Sequence, residues 1–177
     1  RGYTIDYHKK NYNGLDYYDF IEKFETNAKS WDPKIWIDLI KKSGASYAIL
    51  TVKHHDGVVL YPSTIPGKNT KRNYIKEFTD ACRIAGLSVG LYYSLMEFTT
   101  ERYSKGKIKV QKYINNVLIP QLKEIVINFN PDILWTDGDW HHTMETWHSE
   151  KFLDWLFSVN PKIIINDRWG KDFKSIR

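Results

Sequence analysis

Apolar residues in this chain come in two rhythms that alternate along its length. Short runs rich in Ile, Leu, Val and Tyr occupy residues 47–52, 87–94, 133–136 and 163–165. Each reads as a strand of a parallel sheet. Their first residues lie 40, 46 and 30 positions apart, about one strand-plus-helix unit. Before and between them the apolar positions recur at helical spacing. One helix is predicted from Asp32-Pro33, a capping carboxylate followed by proline at the first helical position. Its apolar stripe is Ile35, Trp36, Leu39 and Ile40, and Gly44 stops it. A second is predicted over 73–85, with Tyr74, Phe78, Ala81, Cys82 and Ala85 inward and Gly86 at its end. A third, over 109–128, carries Tyr113, Val117, Leu122, Ile125 and Val126, with Phe129 following. Pro120 is expected to kink or divide it. A fourth lies at 149–159, closed by Asn160-Pro161. The first 30 residues, rich in Tyr and polar groups, read as a long loop leading into the Asp32 helix.

Strands and helices alternating in this order predict an α/β protein. No glycine-rich phosphate loop follows any strand, which favours a (β/α)8 TIM-type barrel over a dinucleotide-binding sheet. A complete barrel needs about 250 residues, so a chain of 177 covers roughly its middle βα units. Residue 1 is Arg rather than Met, and the numbering is expected to begin partway into a longer protein. No repeat or low-complexity stretch marks an internal boundary. Residues 1–177 are therefore expected to form part of one barrel domain.

Composition narrows the partners. Aromatic residues make up 15%, with 7 Trp and 12 Tyr, enough to serve both a core and flat sugar-covering surfaces. The net charge is +5 and the pI about 9.1. Lys and Arg are nevertheless scattered, with only 68–72 and Lys105, Lys107 and Lys109 approaching clusters. The excess reads as solvated surface, and no nucleic-acid partner is expected. Cys82 is the single cysteine, which excludes an internal disulfide. It reads as a small buried apolar group and fits an intracellular protein, the compartment otherwise being open. No apolar run approaches the roughly 18 residues of a membrane span, so no membrane is expected either. Self-association is left open.

All four strands run out into residues with chemistry. Lys53-His54-His55-Asp56-Gly57 follows the first, and Tyr92-Tyr93-Ser94 closes the second with Glu97 just beyond. Trp135-Thr136-Asp137-Gly138-Asp139-Trp140 ends the third, and Asn166-Asp167-Arg168-Trp169 the fourth. In a parallel barrel these ends share one mouth, the face where catalytic residues gather. Singly, each has a bland explanation as a loop, cap or surface pair; together they point to a site. Asp137 stands where a buried strand meets that mouth. Trp135, two positions earlier, shares its side of the strand, while Thr136 faces the opposite way. A metal centre is disfavoured, because neither HExxH nor a Cys pair occurs and adjacent His54 and His55 on an extended strand would point apart. His141, His142 and His148 are the remaining zinc candidates. No G-x-S-x-G elbow supports serine hydrolysis. Paired carboxylates acting on a glycosidic bond fit best, with Asp137 as nucleophile among His, Tyr and Arg donors.

These segments, 47–57, 90–97, 135–140 and 166–170, resemble the α-L-fucosidases of glycoside hydrolase family 29, in order and spacing across nearly the whole chain. The resemblance implies a retaining exo-glycosidase on a (β/α) catalytic barrel, with no cofactor and no required metal. Its substrate would be a fucosylated oligosaccharide or glycoconjugate. By position it implies Asp137 as the nucleophile, with His54, His55, Tyr92, Trp135 and Arg168 binding the sugar. A strand bulge would exchange Tyr92 and Tyr93. The family's first-strand His-Trp-Gly has no counterpart here, and its acid/base glutamate is expected near or beyond Arg177. Activity is accordingly expected of a longer polypeptide. Glu97 is a weak candidate for the acid/base. The competing reading is a catalytically silent fucose- or carbohydrate-binding barrel.

Overall fold

The computed structural model describes residues 2–97 and 107–174, with the side chains of 6–97 and 109–174. Lys105 lies outside the described residues. By its contacts the chain divides into two compact units, residues 1–31 and 32–177.

In the first unit the expected long loop is replaced by helices, α1 (Gly2–Tyr12) and α2 (Phe20–Asn27). Their apolar face is made of rings. Tyr12 meets Phe20 edge-on at 4.9 Å, and His8 lies 5.9 Å from the same ring. Tyrosines that look polar in a sequence supply large apolar surface when stacked, which is why the pattern misread this segment.

The second unit holds a six-stranded sheet among its described residues, in the order β3-β2-β1-β4-β5-β6. The strands are β1 (Tyr47–Lys53), β2 (Val58–Val59), β3 (Lys68–Asn69), β4 (Ser88–Ser94), β5 (Ile133–Asp137) and β6 (Ile164–Ile165). Strands β1, β4, β5 and β6 are mutually parallel and adjacent in chain order. Strand β2 runs antiparallel to β1. The two-residue β2 and β3 are too short to show any period, and the sequence did not suggest them.

Helices α3 (Pro33–Lys42), α4 (Tyr74–Ile84), α5 (Lys107–Tyr113), α6 (Ile119–Phe129), α7 (Met144–Trp147) and α8 (Ser149–Val159) surround this sheet in sequence. Their ends obey local chemistry. Asp32 accepts the Lys34 amide ahead of Pro33, and Asn73 accepts the amide of Lys76. Pro120 leaves one carbonyl without its helical donor. The chain answers with a π-helical turn, Ile114–Leu118, between α5 and α6. Cys82 is fully buried, and burial pushes its thiol up to about 11. Helix α3 departs from expectation: Ile37 is its buried residue, while Ile35, Trp36 and Leu39 are exposed. Amphipathic spacing gives two apolar faces here, and packing against α4 selected the other one.

Register sorts the side chains of the sheet onto two faces. Val89, Leu91 and Tyr93 of β4 lie alongside Leu134 and Thr136 of β5, all fully buried. Tyr93 donates to Gln121 of α6 at 2.7 Å, so this face lies under the helices. The opposite face carries Gly90, Tyr92 and Ser94 beside Ile133, Trp135 and Asp137. A parallel sheet with helices against one face is the arrangement of the wall of an α/β barrel. No helix of the described residues is long and apolar enough to cross a membrane.

Candidate active site

Strand β5 delivers Asp137 to the end of the face opposite the helices, and a left-handed glycine holds it there. Gly138 has φ +75°, and a Cβ at that position would sit 2.8 Å from Met96 Cγ and 3.1 Å from Ser94 Oγ. Only glycine fits both the turn and the crowding. Two side chains grip the Asp137 carboxylate. The Tyr92 hydroxyl donates to Oδ2 at 2.7 Å, and Arg168 donates to Oδ1 at 2.6 Å. Partial burial alone would raise the Asp137 pKa. The Tyr92 hydroxyl, the Gly138 amide and Arg168 outweigh it and hold the carboxyl below its ordinary value. In turn, burial and the bond to Asp137 push the Tyr92 phenol well above 10, so it stays a donor.

The histidines arrive by a different route from the one expected. Strand β1 ends at Lys53, and the chain turns at once, the Gly57 amide bonding the His54 carbonyl at 3.0 Å. The rings of His54 and His55 therefore lie side by side, 4.2 Å apart, rather than on opposite faces of a strand. His54 stacks on Tyr92 at 5.8 Å. His55 Nε2 lies 3.9 Å from Asp137 Oδ2, and Trp140 stands edge-on to its ring at 5.6 Å. Burial lowers the His55 pKa, His54 and Lys53 lower it further, and Asp137 and Asp56 oppose them.

The structure thus brings His54, His55, Tyr92, Asp137 and Arg168 to one rim. Trp135 stands one pleat below Asp137 on the same face, 42% exposed. It lines an open groove of about 310 Å³ with Tyr47, Ile49, Ile133 and Ile164. Of the tyrosine pair, Tyr92 is the one that reaches Asp137; Tyr93 faces the helices. Among the described residues no group of three or more His, Cys, Asp or Glu is arranged to hold a metal ion.

Glu97 is not at the mouth. It is 4% exposed and accepts the fully buried Lys53 ammonium at 2.9 Å. Lys53 also donates to Tyr113, whose hydroxyl donates to the Leu95 carbonyl, and its ammonium lies 4.3 Å over the Tyr93 ring. A side chain so enclosed cannot reach a leaving group, so the acid/base candidacy of Glu97 ends here. Its role is to anchor the Lys53-His54 turn to the segment after β4.

Two residues that the sequence placed at strand ends without a role, Asn166 and Ser94, organise the rim. Asn166 accepts the Thr136 amide at 3.0 Å and donates to the Thr136 carbonyl at 2.8 Å, continuing the sheet with a side chain. The Thr136 hydroxyl then donates to the Arg168 carbonyl at 2.6 Å, tying Asp137 and Arg168 into one register. Ser94, the neighbour of Asp137 across the sheet, bonds His55 Nδ1 at 2.6 Å. Two-residue alternation from Tyr92 was the signal that could have found Ser94.

Residues 2–176 of the chain match the family model described as Alpha-L-fucosidase. The chain belongs to the α-L-fucosidase family. It is 36% identical to an α-L-fucosidase of Dictyostelium discoideum over 97% of this chain and 40% of that protein. With the tissue α-L-fucosidase of Homo sapiens the identity is 34%, over 90% of this chain and 36% of that one. The chain therefore spans about two fifths of the length of the curated relatives it matches. Among solved structures, the Thermotoga maritima α-fucosidase in complex with a mechanism-based inhibitor superposes with a TM-score of 0.77 at 30% identity, over 94% of this chain and 42% of that one. An α-L-fucosynthase of the same organism, in complex with α-L-Fuc-(1-2)-β-L-Fuc-N3, gives 0.77 and 30% over 94% and 41%. The α-L-fucosidase family and its structures agree with the α/β fold expected from the strand–helix alternation.

Proposed function

We propose that the complete protein containing this chain is a retaining exo-glycosidase that hydrolyses terminal α-L-fucose from oligosaccharides or glycoconjugates. One observation carries the reading: an aspartate kept ionised by a tyrosine, an arginine and a backbone amide, at a rim shared with two histidines. Asp137 attacks the anomeric carbon and forms a covalent glycosyl-enzyme, which water then hydrolyses. A carboxylic acid other than Glu97 protonates the leaving oxygen and later activates the water. His54, His55 and Tyr92 hold sugar hydroxyls, Trp135 gives the ring a flat wall, and Arg168 keeps the nucleophile charged. The reading also takes 1–177 as part of a single catalytic barrel domain, with no metal or cofactor.

Trapping tests it directly. A 2-deoxy-2-fluoro fucosyl donor with a good leaving group is expected to label the complete protein once, on the peptide containing Asp137. Mass spectrometry placing the label on another residue would remove Asp137 from the role. Fucose binding by calorimetry, without turnover of nitrophenyl α-L-fucoside, would instead favour the silent sugar-binding barrel. For Arg168→Ala, loss of one charge-assisted bond to the nucleophile predicts kcat/KM lower by about 10–100-fold. An unchanged kcat/KM would mean that Asp137 does not need this partner.

A further inference from the structure

We propose that Ser94 locks His55 in the tautomer that carries its proton on Nδ1, so that Nε2 accepts a hydrogen bond from a hydroxyl of the bound sugar. The argument is one of donors and acceptors. Ser94 is fully buried, and its hydroxyl has a single proton. That proton goes to the Met96 carbonyl, 2.7 Å away, because a carbonyl can only accept. The Ser94 oxygen therefore meets His55 Nδ1, at 2.6 Å, with a lone pair. Nδ1 must be the donor. Turning the hydroxyl around would strip the Met96 carbonyl of this donor in a buried place, which a buried acceptor resists.

The consequence falls on the other nitrogen. In neutral His55, Nε2 then carries a lone pair, and burial beside His54 favours the neutral ring. Asp137 and Asp56 pull the other way, and Lys53 adds to the effect of burial. Nε2 and Asp137 Oδ2 are 3.9 Å apart, beyond direct hydrogen bonding. A sugar hydroxyl next to the reacting carbon, reaching the lone pair of Nε2, donates to it. Ser94 is thus a positioning residue acting through His55, and the proposal rests on the fucosidase reading for the identity of the sugar.

The experiment uses the complete protein labelled with 15N-histidine, the His55 signals being assigned by their loss in His55→Gln. Long-range proton–nitrogen correlations at pH 7.5 are expected to show Nδ1 protonated and Nε2 bare. Ser94→Ala should populate the reverse tautomer and lower kcat/KM by about 5–10-fold, the worth of one hydrogen bond. Inhibition by L-fucose analogues reads the same contact without chemistry at the anomeric carbon. At the hydroxyl whose loss is blunted in His55→Gln, fluorine should weaken inhibition as much as hydrogen does, since fluorine cannot donate. In Ser94→Ala the fluoro analogue should regain ground over the deoxy one. A protonated Nε2 in the unaltered protein overturns the lock, and it reads out even if Ser94→Ala fails to fold. A fluoro analogue that inhibits like fucose overturns the acceptor role. A bare Nε2 in a protein that no fucose analogue inhibits overturns the sugar contact through the parent reading, leaving the tautomer itself established.

Discussion

Replacing Asp137 with glycine in the complete protein is expected to lower turnover of nitrophenyl α-L-fucoside by about four orders of magnitude, roughly 5.5 kcal/mol of barrier. The size follows from what is lost. Without a carboxylate at the end of β5 there is no covalent path, and the remaining rim can only bind and polarise the sugar. The fold should survive the change. Both groups that grip the carboxylate sit at an accessible rim, Arg168 half-exposed, so water can replace the missing acceptor. Glycine also opens space on the side of the sugar from which the aspartate attacked. Azide should enter there and restore part of the rate, giving a fucosyl azide of inverted configuration detectable by NMR. Near-normal turnover without azide would defeat the assignment of Asp137.

The second large effect is on stability. Lys53→Met removes the positive partner of Glu97 inside the protein, and stranding a buried charge costs about 3–5 kcal/mol. The pair is enclosed, with the two side chains 0% and 5% exposed, so solvent screening offers little relief. Denaturant midpoints, at unchanged slope, measure the loss. Lys53→Met with Glu97→Gln should recover much of it, because no charge is then stranded. A double variant as unstable as Lys53→Met alone would show that the pair contributes packing rather than charge.

Several features of the chain could be read without coordinates because one local cause governs each. Helix α8 has the predicted bounds, 149–159, since its apolar spacing is uninterrupted and Asn160-Pro161 ends it. Helix α4 likewise follows its Asn73 cap. The four parallel strands were legible because each is a short apolar run between turn and helix signals. Parity placed Trp135 with Asp137 and turned Thr136 to the opposite face, as the alternating burial of β5 shows. The failures have a common cause as well. Where two outcomes cost nearly the same locally, a distant contact chose between them. Helix α3 buried Ile37 rather than the stripe of Ile35 and Leu39. Residues 2–12 and 20–27 became helical around rings in edge-on and tilted contact. Glu97, a loop carboxylate by sequence, was drawn into the interior by a lysine 44 positions away.

The rim divides in the same way. Sequence by itself determined which residue types reach the ends of the strands, because strand length and alternation are short-range consequences of apolar spacing. It determined the family too, since residues 2–176 carry that pattern throughout. Tertiary structure alone decided how those residues meet: that His54 and His55 lie side by side beyond the end of β1, that Tyr92 rather than Tyr93 grips Asp137, and that Ser94 meets Nδ1 of His55. Hydrogen bonds act over about 3 Å. Partners 31, 39 or 45 positions apart come within that reach only when the sheet sets their register.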